Sequence, residues 1–191
     1  YKKSLVNFIE NKDLVKSRKN FIYYQGPGAI HKGLDILINF FNKNRDLKLN
    51  IFCHFKNEKE FFKIIKKSFN NNIQYYGEVD INSKRFLKIL NESSFSIQAS
   101  VGEGQSSSIV NTTSLGLIPI LTRESGQRFK FKYFEIEVNS SNLEDQIKSI
   151  IKISKNRIKK YALNNIDVCF KYYSIKNYHT IMNKNLSSII N

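Results

Sequence analysis

Short apolar runs alternate along this chain with longer segments in which apolar residues recur every three or four positions. The apolar runs are typical of buried β-strands and lie at residues 21–24, 47–53, 73–76, 95–99, 118–121 and 134–138. The segments with helical spacing lie between them, at residues 34–44, 58–69, 82–90 and 106–115. Because strand and helix alternate, the pattern predicts an α/β fold with a doubly wound, mostly parallel sheet that binds ligands at the carboxyl ends of its strands.

Three further helices are expected after the last strand. Ser141 and Glu144 have the spacing of a capping box, which would open a helix that ends near residue 154. Helical periodicity continues at residues 157–170 and 174–190. We therefore expect residues 1–20 to be a linker or helix from a preceding domain, residues 21–155 to form the α/β domain, and residues 156–191 to form C-terminal helices.

The chain is strongly basic. Its 191 residues include 31 Lys and Arg against 16 Asp and Glu, a net charge of +15, and 41% hydrophobic residues exclude a disordered chain. Clustered basic residues would indicate a nucleic-acid partner. Here the lysines are scattered and the aromatic residues fall at core positions, so no nucleic-acid partner is expected. A solvated basic surface is favoured, with attraction to an anionic membrane or substrate as the alternative.

No segment has the length of a transmembrane helix. The longest apolar run, residues 115–121, is far shorter than the roughly 20 residues that cross a bilayer. The start of the chain lacks the apolar region of a signal peptide, and a chain that opens on Tyr1 is expected to come from a longer one. Cys53 and Cys169 have neither metal-ligand nor disulfide spacing, which predicts two buried thiols and a cytoplasmic location.

Two loops at predicted strand ends combine glycines with charged residues. In the loop of residues 26–33, glycines and a helix start let backbone amides approach a phosphate, and Lys32 adds a positive charge. The order is neither that of a Walker A loop nor GxGxxG, and a tight turn with a surface lysine is the alternative.

In the loop of residues 100–108, Glu103 lies between Gly102 and Gly104, where a carboxylate can accept hydrogen bonds from sugar hydroxyls. The alternative there is a serine-rich helix cap. A third loop, residues 122–126, is the least specific.

The order of these motifs resembles the carboxyl-terminal domain of the GT-B glycosyltransferases. The motifs are Gly26 after a strand, KGLD at 32–35, GEV at 77–79, ASVGEG at 99–104, GLIPI at 116–120 and SG at 125–126. The retaining group with this order is called glycosyltransferase family 4 or glycosyl transferases group 1. Within it, the second motif, which reads HKGLD with His31 included, and the fifth, GLIPI, look most similar to those of bacterial enzymes that build surface polysaccharides such as lipopolysaccharide or capsule. The resemblance implies one Rossmann-like half of a GT-B enzyme.

The resemblance also implies a nucleotide-sugar donor, with a UDP- or GDP-sugar favoured. The implied diphosphate contacts are Gly28, Lys32, Gly33, Gln105, Ser106 and Ser107. The implied sugar and ribose contacts are Glu103, which would also be the catalytic residue, Gly104 and Asn111. The implied nucleoside contacts are Gly77 and Val79. No metal ion or other cofactor is expected, because Lys32 and a helix N-terminus would take the role that a divalent cation has in other transferases.

Two positions depart from the family pattern. Pro27 stands where a basic residue usually follows the first glycine, so one phosphate contact is either missing or comes from elsewhere, with Arg123 and Arg128 as the candidate substitutes. Asn111 stands where a second Glu usually holds the ribose, which weakens nucleotide selectivity more than binding. Of the three histidines, we expect His31 near the phosphates, His54 in the pocket wall and His179 on the surface.

The implied function is donor binding within a retaining glycosyltransferase that acts on a polysaccharide or lipid-linked acceptor. The acceptor half would precede Tyr1, so the isolated chain is expected to bind donor without transferring sugar. Peripheral contact with the inner face of the membrane is an additional expectation. The alternative is a non-catalytic module that binds a nucleotide or sugar phosphate and retains only the fold.

Overall fold

Six strands form one parallel sheet in the computed structural model, which describes residues 2–125, 129–138 and 142–190. In chain order they are β1 (Asn20–Tyr24), β2 (Lys48–Phe52), β3 (Ile73–Tyr75), β4 (Phe95–Gln98), β5 (Ile118–Thr122) and β6 (Phe134–Ile136). Their order across the sheet is β3-β2-β1-β4-β5-β6, with every neighbouring pair parallel. The predicted doubly wound, Rossmann-like α/β fold is confirmed.

The helices of the described residues connect these strands and continue past the last one. They are α1 (Lys2–Glu10), α2 (Leu14–Ser17), α3 (Leu34–Lys43), α4 (Lys59–Lys66), α5 (Lys84–Asn91), α6 (Ser107–Ser114), α7 (Leu143–Ile151), α8 (Lys155–Tyr172) and α9 (Ile175–Ile190). A 3₁₀ turn at Arg123–Ser125 follows β5. The helical C-terminal tail is therefore present as predicted.

The direction of winding reverses at β1. This strand pairs with β2 on one side and with β4 on the other, so that Phe21 lies opposite both Leu49 and Phe95. In a doubly wound sheet, the loops that leave two such strands run to opposite faces and leave a crevice between them. The loops after β1 and β4, which carry most of the predicted site residues, are therefore neighbours at one edge of the sheet.

Apolar side chains cover both faces of the sheet. Phe21 and Tyr23 of β1 point to one face and Ile22 to the other, because successive side chains of a strand alternate, and all three are fully buried. Leu37 of α3 packs in the cluster on the first face, and Phe86 of α5 packs in the cluster on the second. This two-sided burial holds the strand ends, and thus the site loops, in fixed positions.

The first helix packs into the core of the α/β domain. Ile9 of α1 is fully buried in the same cluster as Ile166 of α8. Gly116, which has a φ of +89°, makes this approach possible, since a Cβ atom there would lie 2.6 Å from Cδ1 of Ile9. Residues 2–10 are thus in direct contact with the domain that follows them.

The helix predicted from a capping box begins at Leu143, with Asn142 at the N-cap position. Ser141, the predicted capping residue, lies outside the described residues. The other member of the box, Glu144, forms an ion pair with Lys148 one turn further along the helix. The helix ends at Ile151, three residues before the predicted end.

Both cysteines are free and buried, as predicted. Burial raises the pKa of the Cys53 thiol and of the Cys169 thiol to about 12. Both groups are therefore protonated and weakly nucleophilic at neutral pH. Within the described residues, no helix combines the length and apolar character that crossing a membrane requires.

Lys12 has a buried ammonium group outside the predicted site. Its Nζ donates a hydrogen bond of 2.8 Å to the carbonyl oxygen of Leu90 and lies 5.5 Å from the centre of the Phe8 ring. Burial lowers the pKa of Lys12 from 10.5 to about 7. Folding is therefore coupled to proton loss from this group above neutral pH.

We expect this coupling to appear in the pH dependence of stability. Between pH 7 and about 10.5 the unfolded chain binds more protons at Lys12 than the folded chain, so the free energy of unfolding rises across this window. Lys12→Met should flatten that rise and should be more stable than the parent by at least about 1 kcal/mol at pH 6 to 7. Urea unfolding at a series of pH values tests this, with the exposed Lys3→Met as control. Parallel curves for the parent and Lys12→Met would contradict it.

Candidate functional site

The carboxyl ends of β1, β2 and β3 enclose a cleft together with α6. It has a volume of about 260 Å³. The lining residues are Tyr24, Gln25, Gly26, Pro27, Phe52, Cys53, His54, Glu78, Val79, Ser108 and Asn111. The structure thus brings two predicted contacts, Val79 and Asn111, together with the loop after β1.

The loop between β1 and α3 is folded back against the end of β4. Gly33 has a φ of +68°, and a Cβ atom there would lie 2.0 Å from the carbonyl oxygen of Ala99, so no side chain fits. The carbonyl oxygen of His31 accepts hydrogen bonds from the Val101 amide at 3.0 Å and from the Ser100 hydroxyl at 3.2 Å. The two loops predicted to carry the site are therefore joined directly, and Gly33 is required by this junction.

The carboxylate of Glu58 accepts hydrogen bonds from backbone amides of the same loop. Its Oε2 accepts hydrogen bonds from the Gly28 and Ala29 amides at 3.2 and 2.9 Å, and its Oε1 accepts one from the Ile30 amide at 3.2 Å. Amides that converge on an oxyanion are typical of phosphate sites. The loop has the anion-binding geometry that its glycines predict, but a side chain of the protein fills it. Glu58 was not predicted as a site residue, because it is the N-cap residue of α4 and lies 30 residues after Gly28.

Lys32 and Glu103, predicted on separate loops, form an ion pair. Lys32 Nζ lies 3.6 Å from Glu103 Oε1, and their side chains are only 10% and 20% exposed. An ion pair that is largely withdrawn from water interacts more strongly than a surface pair, because solvent screens it less. The structure therefore places one cation and one carboxylate side by side at the switch point of the sheet.

Two glutamines connect this ion pair to the cleft. Gln98, the last residue of β4, donates a 2.6 Å hydrogen bond from Nε2 to Glu103 Oε2. Its Oε1 accepts a 2.9 Å hydrogen bond from Gln25 Nε2, and Gln25 lines the cleft. Gln98 was predicted only as part of the strand at residues 95–99. The signal that could have identified it is a polar amide side chain at the end of a buried strand.

The start of α6 lies beside the cleft. Ser106 is the N-cap residue and is buried, but its side chain makes no capping hydrogen bond. Gln105 and Ser107 are exposed on either side of it, and Gly104 precedes them at an exposed position. The positive end of the helix dipole thus faces the edge of the sheet that carries Lys32.

The aromatic rings of Tyr24 and Phe52 line the end of the cleft at which Val79 lies. Gly77, with a φ of +77°, turns the chain after β3 so that Val79 reaches the cleft wall. The Tyr24 hydroxyl donates a 3.5 Å hydrogen bond to the Val79 carbonyl oxygen. Burial raises the pKa of Tyr24, which keeps this donor protonated. The rings of Phe52 and Tyr76 are stacked with centres 4.8 Å apart. This end is suited to a flat, partly apolar group.

The two positions that depart from the family pattern both line the cleft. Pro27 contributes no amide donor to it, and Asn111 offers an amide side chain from α6. Arg123, one of the two substitutes proposed for the missing basic residue, begins the 3₁₀ turn after β5 and is exposed. The other, Arg128, and Gly126 of the third loop lie outside the described residues.

The three histidines lie on three different segments of the described structure. His54 is in the cleft wall, as predicted. The His31 ring lies against Gly28, where a Cβ atom would come within 2.0 Å of the ring. His179 is exposed on α9, as predicted.

Residues 6–166 match the sequence family described as Glycosyl transferases group 1. The match covers most of the chain, and the chain belongs to this family. This is the family that the order of the motifs predicted. A sequence comparison with curated proteins found no significant match.

Solved structures share the fold at low sequence identity. Anabaena HepE in complex with UDP and glucose matches 97% of this chain and 52% of its own, with a TM-score of 0.69 and 12% identity. A sucrose-phosphate synthase from Thermosynechococcus elongatus matches 90% of this chain and 45% of its own, with a TM-score of 0.72 and 10% identity. The catalytic domain of the Helicobacter pylori cholesterol-α-glucosyltransferase matches 80% of this chain and 98% of its own, with a TM-score of 0.57 and 16% identity. The chain spans about half the length of the first two proteins.

Proposed function

We propose that this chain is the donor-binding, carboxyl-terminal domain of a retaining glycosyltransferase that uses a UDP- or GDP-sugar. The observation that carries the proposal is the shielded pair of Lys32 and Glu103 beside the start of α6, in a chain of a glycosyltransferase family. The Anabaena HepE structures with UDP and with UDP-glucose support a nucleotide-sugar ligand for this fold. The chemistry of the pair also fits, since one member suits a diphosphate and the other suits hydroxyl groups.

The donor would extend from the cleft to the ion pair. The nucleoside would lie at the aromatic end beside Gly77 and Val79, with Asn111 near the ribose. The diphosphate would lie between Lys32 and the first amides of α6, which run from Gln105 to Ser107. Gly28 and Gly33 would then shape the loop that holds Lys32, since Glu58 already binds the Gly28 amide.

Donor binding would change the partner of Lys32. In the structure its ammonium group is paired with Glu103. A diphosphate would attract Lys32 more strongly than a single carboxylate, because it carries more negative charge. Glu103 would then accept hydrogen bonds from the hydroxyls of the transferred sugar, beside Gly104. The free pair thus keeps both charges compensated until the donor arrives.

The reaction places negative charge on the departing diphosphate. Lys32 and the N-terminus of α6 would stabilise that charge where it develops, without a metal ion. Retention of configuration would involve the departing diphosphate itself. Glu103 would act by holding the sugar in the orientation in which its bond to the diphosphate breaks.

The acceptor site would be supplied by a part of the protein outside this chain. We propose a polysaccharide or lipid-linked acceptor, of the kind used in bacterial surface-polysaccharide synthesis at the cytoplasmic face of the membrane. The net charge of +15 would assist peripheral contact with anionic lipid. The isolated chain would then bind donor but transfer no sugar.

A second candidate is a non-catalytic module that binds a nucleotide or sugar phosphate. Two observations favour it: Pro27 and Asn111 both line the cleft, and a protein carboxylate fills the amides of the first loop. Such a module would bind nucleotide but show no transfer in the full-length protein.

Replacing Glu103 separates these functions. In the full-length protein, Glu103→Ala should lower the rate of sugar transfer about 100-fold or more while changing the affinity for free UDP or GDP by less than about 5-fold, because Glu103 faces the sugar. Glu124→Ala, an exposed carboxylate in the next loop, is the matched control. Normal transfer by Glu103→Ala would refute the assigned role. Nucleotide binding without any transfer by the parent would favour the module.

A further inference from the structure

The hydrogen bonds between Gln25, Gln98 and Glu103 have only one consistent direction. A carboxylate only accepts hydrogen bonds, so the Gln98 NH₂ group must face Glu103, at 2.6 Å. The Gln98 carbonyl oxygen is then left to accept from the NH₂ group of Gln25, at 2.9 Å. The charge of Glu103 therefore determines the orientation of both amides.

This arrangement leaves a polar atom of Gln25 unpaired within the described part of the chain. With its NH₂ group committed to Gln98, its Oε1 is buried and has no hydrogen-bond partner among the described residues. Gln25 itself is only 5% exposed. A buried acceptor without a partner is unfavourable, so the observed orientation serves Gln98 and Glu103 rather than Gln25.

Gln98 is a rigid support for Glu103. Its side chain is fully buried at the end of β4, a strand that pairs with β1 and β5. Lys32, by contrast, contacts the other carboxylate oxygen at 3.6 Å from a loop. If the Lys32 ammonium group moves to bind a diphosphate, Glu103 loses its ion pair. Among the described residues, the hydrogen bond from Gln98 is then the side-chain contact that Glu103 keeps.

We propose that Gln98 is a positioning residue that holds the Glu103 carboxylate in place for the donor sugar after Lys32 has turned to the diphosphate, and that Gln25 orients Gln98. This inference rests on the proposed function, because it assigns Gln98 a role through the contact of Glu103 with the sugar. Gln98 acts through Glu103 and touches no part of the nucleotide. Its effect must therefore depend on the sugar.

The first test compares binding of a nucleotide with binding of its sugar derivative. UDP with UDP-glucose, and GDP with GDP-mannose, are titrated calorimetrically into the parent and Gln98→Met, which keeps the volume of the side chain but removes both hydrogen bonds. We expect unchanged affinity for the free nucleotide and a loss of about 10-fold for the nucleotide sugar, since a hydrogen bond to a charged group is lost. Gln25→Met, which also alters the cleft wall, should lower the affinity for the nucleotide sugar by a smaller factor than Gln98→Met does. An equal loss for nucleotide and nucleotide sugar would indicate a general structural effect and overturn the proposal.

The second test uses the pH dependence of transfer in the full-length protein. Gln98→Glu places a second carboxyl group beside Glu103, and only its protonated form can donate the missing hydrogen bond. The kcat of this variant should therefore recover towards that of the parent as the pH falls, whereas kcat of Gln98→Met should stay low at every pH. Parallel pH profiles for the two variants would contradict the proposal.

A double variant distinguishes failure of this inference from failure of the proposed function. In the Glu103→Ala background, Gln98→Met should cause no further loss, because its only route to the sugar is gone. Additive losses would overturn the positioning role. If Glu103→Ala is itself without effect on transfer or sugar binding, the proposed function fails; if Glu103→Ala impairs both and Gln98→Met impairs neither, only the present inference fails.

Discussion

Lys32→Ala is expected to lower the affinity of this chain for its nucleoside diphosphate by about 100-fold. The Lys32 side chain is only 10% exposed and its ammonium group lies within the shielded ion pair, so a charge-assisted hydrogen bond to a diphosphate would be screened little by water. At an equal concentration of UDP or GDP, the increase in melting temperature that we expect for the parent should nearly disappear in this variant. Calorimetric titration gives the affinity itself.

The control for this prediction is Lys56→Ala. Lys56 pairs with Glu78 at 3.5 Å beside the cleft, but both side chains are well exposed. The substitution removes the same charge from the same region, so it should reduce affinity by less than about 3-fold. Equal losses for the two variants would show that the nucleotide responds to the general positive charge and not to Lys32.

Gly33→Ala is expected to destabilise the fold by about 3 kcal/mol or more. The backbone at this position is left-handed, with a φ of +68°, which costs other residues about 1–2 kcal/mol. The added Cβ atom would also lie 2.0 Å from the carbonyl oxygen of Ala99, which is backbone of the sheet edge and cannot rotate away. Unfolding in urea measures the loss.

Gly102→Ala provides the comparison for Gly33→Ala. Gly102 lies in the adjoining loop, and a Cβ atom there would meet nothing within 4 Å. Its substitution should change the free energy of unfolding by less than about 1 kcal/mol. If the two variants are equally stable, the contact between Gly33 and the end of β4 does not hold the loops together as described.

The fold could be predicted because its signals are local. Apolar runs and three- and four-residue spacings mark β1 to β6 and most of the helices to within a few residues. The prediction for residues 1–20 left a linker or a helix open, although Leu5, Phe8 and Ile9 have helical spacing. The position of α1 is decided by its packing against Gly116 and α8, which lie far from it in the sequence.

The site was only partly predictable from the sequence. The glycines and charges of single loops identify Lys32 and Glu103, and the structure shows that these two are paired. The role of Glu58 depends on a contact between different elements, so no local motif reveals it. The same holds for Gln25, which directly follows β1, and Gln98, which ends the neighbouring strand β4, because they are 73 residues apart. That these residues serve a nucleotide sugar stays a prediction.

The most direct test of the donor site is a thermal-shift measurement on this chain with UDP, GDP, ADP, CMP and their sugar derivatives, each with and without Mg²⁺. A ligand at about 100 times its dissociation constant stabilises the folded state by about 2.7 kcal/mol, or roughly 5–10 °C for a domain of this size. We predict such a shift for one nucleoside diphosphate and its sugar derivative, unchanged by Mg²⁺ and lost in Lys32→Ala. No shift with any nucleotide, or a shift of equal size in Lys32→Ala, would contradict a donor site at Lys32 and Glu103.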